Sequence, residues 1–386
     1  MIIMRKIAVV TSTRAEFGLL LNVLKKITDD DELQLQLIVT GTHLSHLYGY
    51  TIDEIKDTGL EVVQSIPMHI DADSSESAGI SMGSLMICLS QTFERIRPDL
   101  LIIIGDRYEI LSVASIATVM NIPIVHIAGG EITEGVIDEQ IRHAVTKLAH
   151  IHFVSCNEFL NNVINMGEEE WRVFNVGALG IENVKNIEYL SAEQFEEIIK
   201  FKIDKTTLLV TMHPTTFDIS ANVKQIDNLI DALKFINKKT IITYPNNDLG
   251  NEYIIMKIND FAKNNKNVFV TKSLGIVKYL SVMKLCGVVV GNSSSAITEA
   301  PYLKIPVVNI GDRQKGRLFA DNIIQCNYKS EEIIECINLA LSNEFQKEAI
   351  NAISLYGDGD CSKKIVKILK DVKINDKLLR KKLVWR

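Results

Sequence analysis

The sequence predicts an α/β fold of two doubly wound, Rossmann-like domains facing a central cleft. Three observations carry that prediction. Short apolar runs recur at 7–10, 35–39, 100–104, 122–126 and 151–154, and again at 207–211, 240–243, 268–271, 288–290 and 307–310. They are near-continuous Val/Ile/Leu stretches, the pattern of parallel strands buried on both faces. Helical periodicity fills the gaps, at 16–27, 81–95, 108–120 and 139–149 in the first half and at 223–236 and 251–264 in the second. Polar clusters follow several of the apolar runs, and in doubly wound sheets ligands bind beyond the carboxyl ends of the strands. The rhythm lapses over 177–201, which reads as a hinge. The expected division is a first domain over 1–178 carrying acid/base groups, a nucleotide-binding second domain over 179–370, and a basic tail over 371–386. At 386 residues the chain suits two cores of about 180 residues each.

Taken in order, the strand ends supply the candidate chemistry. The first strand runs into Thr11–Gly18, where Arg14 stands at the start of a helix within reach of a diphosphate. This loop is not G-x-G-x-x-G, so a dinucleotide-binding fingerprint is absent. The second strand ends at Thr40–His43 and places His43 at the same rim. The run LIII delivers Gly105, Asp106 and Arg107, and IVHIAGGE delivers His126 and Glu131. Asp138 and Glu139 open a helix that also carries Arg142 and His143. Acids with basic neighbours are how proteins assemble proton-transfer groups of separated pKa. Each group also has a structural reading: Asp138 and Glu139 as acids favoured by the helix dipole, Asp106 as a partner of Arg107, His126 as a core histidine. No metal-ligand spacing is present among these acids.

In the second half, His213 precedes Pro214 at a strand end, and Asn247 lies in the cluster 244–248. The segment 286–317 is the most informative in the chain. An apolar strand breaks at Gly291 into Asn292, Ser293, Ser294 and Ser295, then enters a helix carrying Glu299. Free backbone N–H groups and hydroxyls at a helix start suit an anion, and Glu299 suits ribose hydroxyls. The next strand delivers Arg313, Lys315 and Arg317 within five residues, and Arg forks match phosphate oxygens. Together they point to the diphosphate and ribose of a nucleotide.

Composition narrows the classes. Hydrophobic residues make up 47 % and charged residues 23 %, with a net charge of −6, values of a soluble protein that does not bind nucleic acid non-specifically. No apolar stretch reaches the roughly 20 residues that span a bilayer, and residues 1–6 lead into a strand with no signal-peptide pattern. The six cysteines are scattered without CxxC spacing, which reads as reduced thiols in the cytoplasm.

The motifs STRAEFG, GTHLS with YGYT, GDRYE, HIAGGEITEG with DEQIRHAVTK, MHPTT, YPNND, GNSSS with EAP, and NIGDRQKGR occur in one order from about residue 5 to 370. In that order and spacing the chain resembles the hydrolysing UDP-N-acetylglucosamine 2-epimerases of sialic-acid biosynthesis. The resemblance implies a glycosyltransferase-B type fold and conversion of UDP-GlcNAc and water to ManNAc and UDP, without metal or redox cofactor. It implies Asp106, Glu131 and Asp138 as acid/base groups, with Arg107 and His126 supporting them and His43, Glu139, Arg142 and Asn247 among the substrate-binding residues. Arg14, His213 and Arg313 with the serine loop would stabilise the departing diphosphate, and Asn292, Ser293, Ser294 and Glu299 would bind nucleotide. A helix N-terminus contributes at most about 2 kcal/mol, against the 8 kcal/mol or more, roughly, of enzymatic rate enhancements, so these groups must act jointly. The resemblance also implies a homodimer or homotetramer. One departure stands out. Several relatives read His-x-Glu-Gly-Gly-Glu where this chain has Ala128, and relatives acting on UDP-2,4-diacetamido-2,4,6-trideoxy sugars for legionaminic acid have similar motifs. Non-hydrolysing epimerases, glycosyltransferases and a nucleotide-sugar sensor would share parts of this pattern; the acid cluster argues for proton chemistry.

Overall fold

The computed structural model describes residues 4–46, 49–68, 75–133, 137–215, 219–245, 251–263 and 265–385. They form two compact units, each built on an all-parallel sheet. In the first unit the strands are β1 (Arg5–Thr11), β2 (Leu33–Thr40), β3 (Val62–Ile66), β4 (Leu100–Ile104), β5 (Ile124–Ile127), β6 (Ile151–Val154) and β7 (Val173–Asn175), in the order β3-β2-β1-β4-β5-β6-β7. The second holds β8 (Leu208–Thr211), β9 (Thr240–Thr243), β10 (Val268–Thr271), β11 (Val288–Gly291), β12 (Val307–Ile310) and β13 (Ile323–Cys326), in the order β10-β9-β8-β11-β12-β13. The doubly wound α/β class is as expected from the sequence.

Two-sided burial explains the continuous apolar strands. Along β4, Leu100, Ile102 and Ile104 enter one core while Leu101 and Ile103 enter the other. Helices cover both faces, because parallel strands need crossovers that pack back onto the sheet. The order of strands reverses between β1 and β4 in the first unit and between β8 and β11 in the second. Those switch points open crevices at the carboxyl ends of the strands, and the loops that matter below leave from them.

The domain boundaries differ from the expectation. The first unit comprises Met1–Glu131, Ile137–Asn183 and Tyr356–Arg386, and the second Ile132–Val136 with Val184–Leu355. Residues 356–370, assigned by sequence to the second domain, therefore belong to the first. The helix Cys361–Asp371 places Ile365 and Leu369 in the same core as Leu24 and Ile27, and the Arg5 guanidinium donates to the Leu369 carbonyl. Nor is the basic segment after it peripheral. Leu378 is buried, and the fully buried Arg172 donates to the carbonyls of Lys377 (2.8 Å), Leu378 (2.9 Å) and His150 (3.1 Å). Lys381 joins Lys147 on the buried Glu168, at 2.9 and 2.5 Å. A guanidinium taken out of water must satisfy its donors, and this segment supplies the acceptors. Among the described residues no helix is long and apolar enough to cross a membrane.

Candidate active site

In the first unit one side chain gathers the acids. Arg142 is only 3 % exposed and projects from the helix Ile137–Leu148. Its guanidinium pairs with Asp106 at the end of β4, with Glu139 Oε2 (3.1 Å) one turn earlier, and with the backbone carbonyl of Glu131 (3.0 Å). Three separate segments thus meet on a single fork, and a buried guanidinium matched to two carboxylates fixes their geometry. Glu131 Oε1 also accepts from Ser155 Oγ (3.3 Å), just past β6. Glu139 meets His143 Nε2 at 2.9 Å, and the half-buried Asp138 lies one residue before it in the first helical turn. The turn into Glu131 is tight. Ala128 takes φ +67° and Gly130 φ +77°, and a Cβ at residue 130 would lie 2.5 Å from the Phe159 carbonyl oxygen. An alanine in left-handed backbone is uncommon and costs energy that the surroundings must offset.

Two histidines expected to face substrate do not. His126 is fully buried, its Nε2 2.8 Å from the Gly105 carbonyl and its Nδ1 3.3 Å from Thr146 Oγ1; burial pushes its pKa down to about 3. It braces the β4 and β5 turns from beneath. His43 is likewise fully buried between Thr11 Oγ1 (3.0 Å) and Thr51 Oγ1 (2.8 Å), with its pKa pushed down by burial to about 4. Both ring nitrogens of each are thus engaged inside the fold. Arg14 is exposed and pairs with Glu54 at 3.2 Å. Arg107 forks onto Glu109, 3.0 Å from Nη2 to Oε1, a residue that the sequence reading passed over. Glu16 was also missed, although Thr13-x-x-Glu16 is a capping-box signature. Its carboxylate accepts from Ser12 N (2.7 Å), Ser12 Oγ (2.9 Å) and Thr13 N (3.2 Å).

In the second unit the loops of β8, β11 and β12 are tied together by Asn292. It is fully buried, its Oδ1 accepting from His213 N (2.7 Å) and its Nδ2 donating to the His213 carbonyl (2.9 Å). Its own carbonyl accepts from Gln314 Nε2 (2.9 Å) and Arg313 Nη1 (3.3 Å). Asn292 was expected to bind substrate; with both amide atoms spent on backbone it is a strut instead. Gly291 is required here, since a Cβ would fall 1.9 Å from the Thr211 oxygen. Burial, with Arg313 adding to it, pushes His213 down to about 3, so the ring is neutral at ordinary pH. Ser293 stands at the N-cap position of the helix Ser294–Tyr302 without a capping hydrogen bond, its Oγ 3.0 Å from Ser295 Oγ, which meets Tyr279 OH at 2.7 Å. Ser294 is exposed in the first turn, and Glu299, one turn on, accepts from Thr298 and is held above the usual carboxylate range by burial. His213 and Arg313 thus meet on Asn292, while Ser293, Ser294 and Glu299 belong to the helix that follows it. Asn247 lies outside the described residues. A hollow of about 390 Å³ lies under the following loop, lined by Gly311, Lys315, Arg317 and Tyr328. The unit's larger hollow, about 790 Å³ between the helices Ile219–Ile236 and Asn251–Lys263, holds none of these groups. Among the described residues no cluster of three or more His, Cys, Asp or Glu side chains could hold a metal.

Comparison with known proteins places the chain in a family. Residues 25–370 match the profile of the family described as UDP-N-acetylglucosamine 2-epimerase. The chain is 39 % identical over 383 residues to a GDP/UDP-N,N'-diacetylbacillosamine 2-epimerase (hydrolyzing) of Campylobacter jejuni, covering 98 % of this chain and 99 % of that protein. It is 34 % identical over 370 residues to the polysialic acid biosynthesis protein P7 of Escherichia coli, covering 95 % and 94 %. Its fold matches the crystal structure of UDP-GlcNAc 2-epimerase from Neisseria meningitidis bound to UDP-GlcNAc with a TM-score of 0.74 at 18 % identity, over 95 % of this chain and 100 % of that one.

Proposed function

Because the chain belongs to the UDP-N-acetylglucosamine 2-epimerase family, we propose that it is a hydrolysing 2-epimerase whose substrate is a UDP-linked 2,4-diacetamido-2,4,6-trideoxyglucose (N,N'-diacetylbacillosamine). The observation that carries the reaction class is the convergence of Asp106, Glu139 and the Glu131 loop on the buried Arg142. The choice of sugar is supported by the Campylobacter jejuni relative and by a Legionella pneumophila UDP-N,N'-diacetylbacillosamine 2-epimerase (hydrolyzing), 33 % identical over 377 residues.

The chemistry runs in two halves. A carboxylate of the first unit takes the C2 proton as the C1–O bond breaks, the bonding pair leaving with UDP, and a C1=C2 glycal remains. Water then adds, its hydroxyl to C1 and a proton to C2 from the opposite face, so C2 is inverted and the sugar is released. Asp106, Glu131 and Asp138 are assigned these proton transfers, with Arg142 fixing their geometry. In the second unit the Ser293–Ser295 helix start and Arg313 take the diphosphate, Glu299 the ribose. His213 is neutral in the apo protein, so it serves as a hydrogen-bond partner and not as a cation. A single helix start supplies about 2 kcal/mol at most, so Arg313 must share the charge of the leaving group.

A second reading, UDP-GlcNAc to ManNAc, is supported by the Escherichia coli protein and by a Neisseria meningitidis UDP-N-acetylglucosamine 2-epimerase 30 % identical over 339 residues. Incubation with each UDP-sugar in deuterated water tests both. The expected product is free sugar, inverted at C2 and deuterated there, formed faster from the diacetamido substrate. Preference for UDP-GlcNAc would select the second reading, and product still attached to UDP would overturn hydrolysis altogether.

A further inference from the structure

The GDRYE turn holds a second charged group that the proton chemistry does not use. It lies where β1 and β4 diverge, at the switch point of the first sheet. Glu109, in the first turn of the helix Tyr108–Val119, is completely buried. Both of its oxygens face Arg107, at 3.0 Å from Nη2 and 3.2 Å from Nε. A bidentate carboxylate–guanidinium pair is rigid, and a carboxylate this deeply buried demands such a partner. The Arg107 side chain nonetheless remains 41 % exposed, and its Nη1 has no acceptor among the described residues. Asp106, the preceding residue, belongs to the acid cluster through Arg142. Glu16, buried beside the Ser12–Thr13 turn, lies within electrostatic range of both Arg107 and Glu109.

The charge count decides what Arg107 can recognise. Glu109 neutralises the guanidinium, so the pair carries no net charge and does not favour a diphosphate. What remains is a fixed, all-donor edge. Its best match is a neutral group that only accepts, and among the groups of an acetamido sugar that is the amide carbonyl. A hydroxyl would bring a proton for which the guanidinium has no acceptor.

We infer that Glu109 is a positioning residue that locks Arg107 as the donor to an acetamido carbonyl of the sugar, making this pair a sugar-recognition element and not part of the diphosphate grip. The inference deepens the epimerase reading and rests on it. The test is steady-state kinetics with UDP-2,4-diacetamido-2,4,6-trideoxyglucose and with UDP-GlcNAc, alongside inhibition by UDP alone. Glu109→Gln should raise KM about tenfold or more, the scale of a charge-assisted hydrogen bond, while inhibition by UDP and kcat stay within about twofold. Arg107→Gln should do the same, and the double variant should be no worse than either single one. Glu109→Asp keeps the buried charge but draws it back by one methylene, and should raise KM to an intermediate degree; it carries the test if Glu109→Gln does not fold. Wild-type KM in Glu109→Asp, independent effects that multiply in the double variant, or UDP inhibition weakened in step with KM would each overturn the proposal. Wild-type enzyme releasing sugar from neither substrate would overturn the epimerase reading instead, so the two failures are distinguishable.

Discussion

At the end of β11 a single amide holds three loops in register. Asn292→Ala would leave the N–H and carbonyl of His213 without their partners, and each buried orphan costs about 1–3 kcal/mol. The expected outcome is a lower melting temperature and UDP binding weakened at least about tenfold, measured by thermal denaturation and titration calorimetry. Asn292→Asp should not rescue it, because the second oxygen would face the His213 carbonyl. Unchanged UDP affinity in Asn292→Ala would show that the strut does not shape the site. This residue also marks how far a sequence can be read. Strand-end position was legible for Asn292, His43 and His126 alike, because apolar runs stop where loops begin. Side-chain direction was not. Whether a polar group at a strand end looks outward or braces the turn beneath depends on partners such as Thr51, Thr146 and the His213 backbone, which are distant in sequence or lie in the main chain.

Among the elements, the long apolar strands were legible and the short mixed ones were not. β3 reads VVQSI, β7 VFN and β13 IIQC, too polar or too brief to stand out from loop. The helix Cys361–Asp371 hid for a different reason. Its apolar stripe of Ile365, Val366 and Leu369 is interleaved with lysines, and nothing local says which sheet the stripe will cover. The segment after it tests that assignment. Deleting residues 372–386 removes the carbonyl acceptors of Arg172 and the Lys381 partner of Glu168. Stranding a buried guanidinium is strongly destabilising, about 3–5 kcal/mol in comparable cases, so the truncated protein should melt several degrees lower or aggregate. Wild-type stability would mean that this segment is the loose tail the sequence suggested.

Across the whole molecule, buried histidines dominate the response to pH. His43 and His150 are pushed down to about 4, and His126 and His213 to about 3, burial being the largest cause each time. Below the unfolded value of about 6.5, the unfolded chain binds protons that the folded one refuses, so stability falls as pH drops from there toward the folded values. Glu16 works the other way. Burial raises it to about 7, so the folded chain holds a proton that the unfolded one has already released, and stability falls as pH rises from the unfolded carboxyl range toward 7. Five buried histidines, His152 among them, outweigh the two raised carboxyls Glu16 and Glu299 over the shared window. Melting temperature should therefore fall steadily from pH 6.5 to pH 5, and a flat profile over that range would contradict the burial of these rings.

The return of residues 356–386 to the first sheet has a consequence for biosynthesis. A nascent chain leaves the ribosome from its amino end, so the helix that closes the core over Leu24 and Ile27 emerges after the whole of the second unit. The body of the second unit, continuous from Val184 to Leu355, is fully extruded earlier and has its whole sheet available to fold at once. The unit begun first thus waits for residues 356–371, and until they are made its apolar flank is left for chaperones to shield.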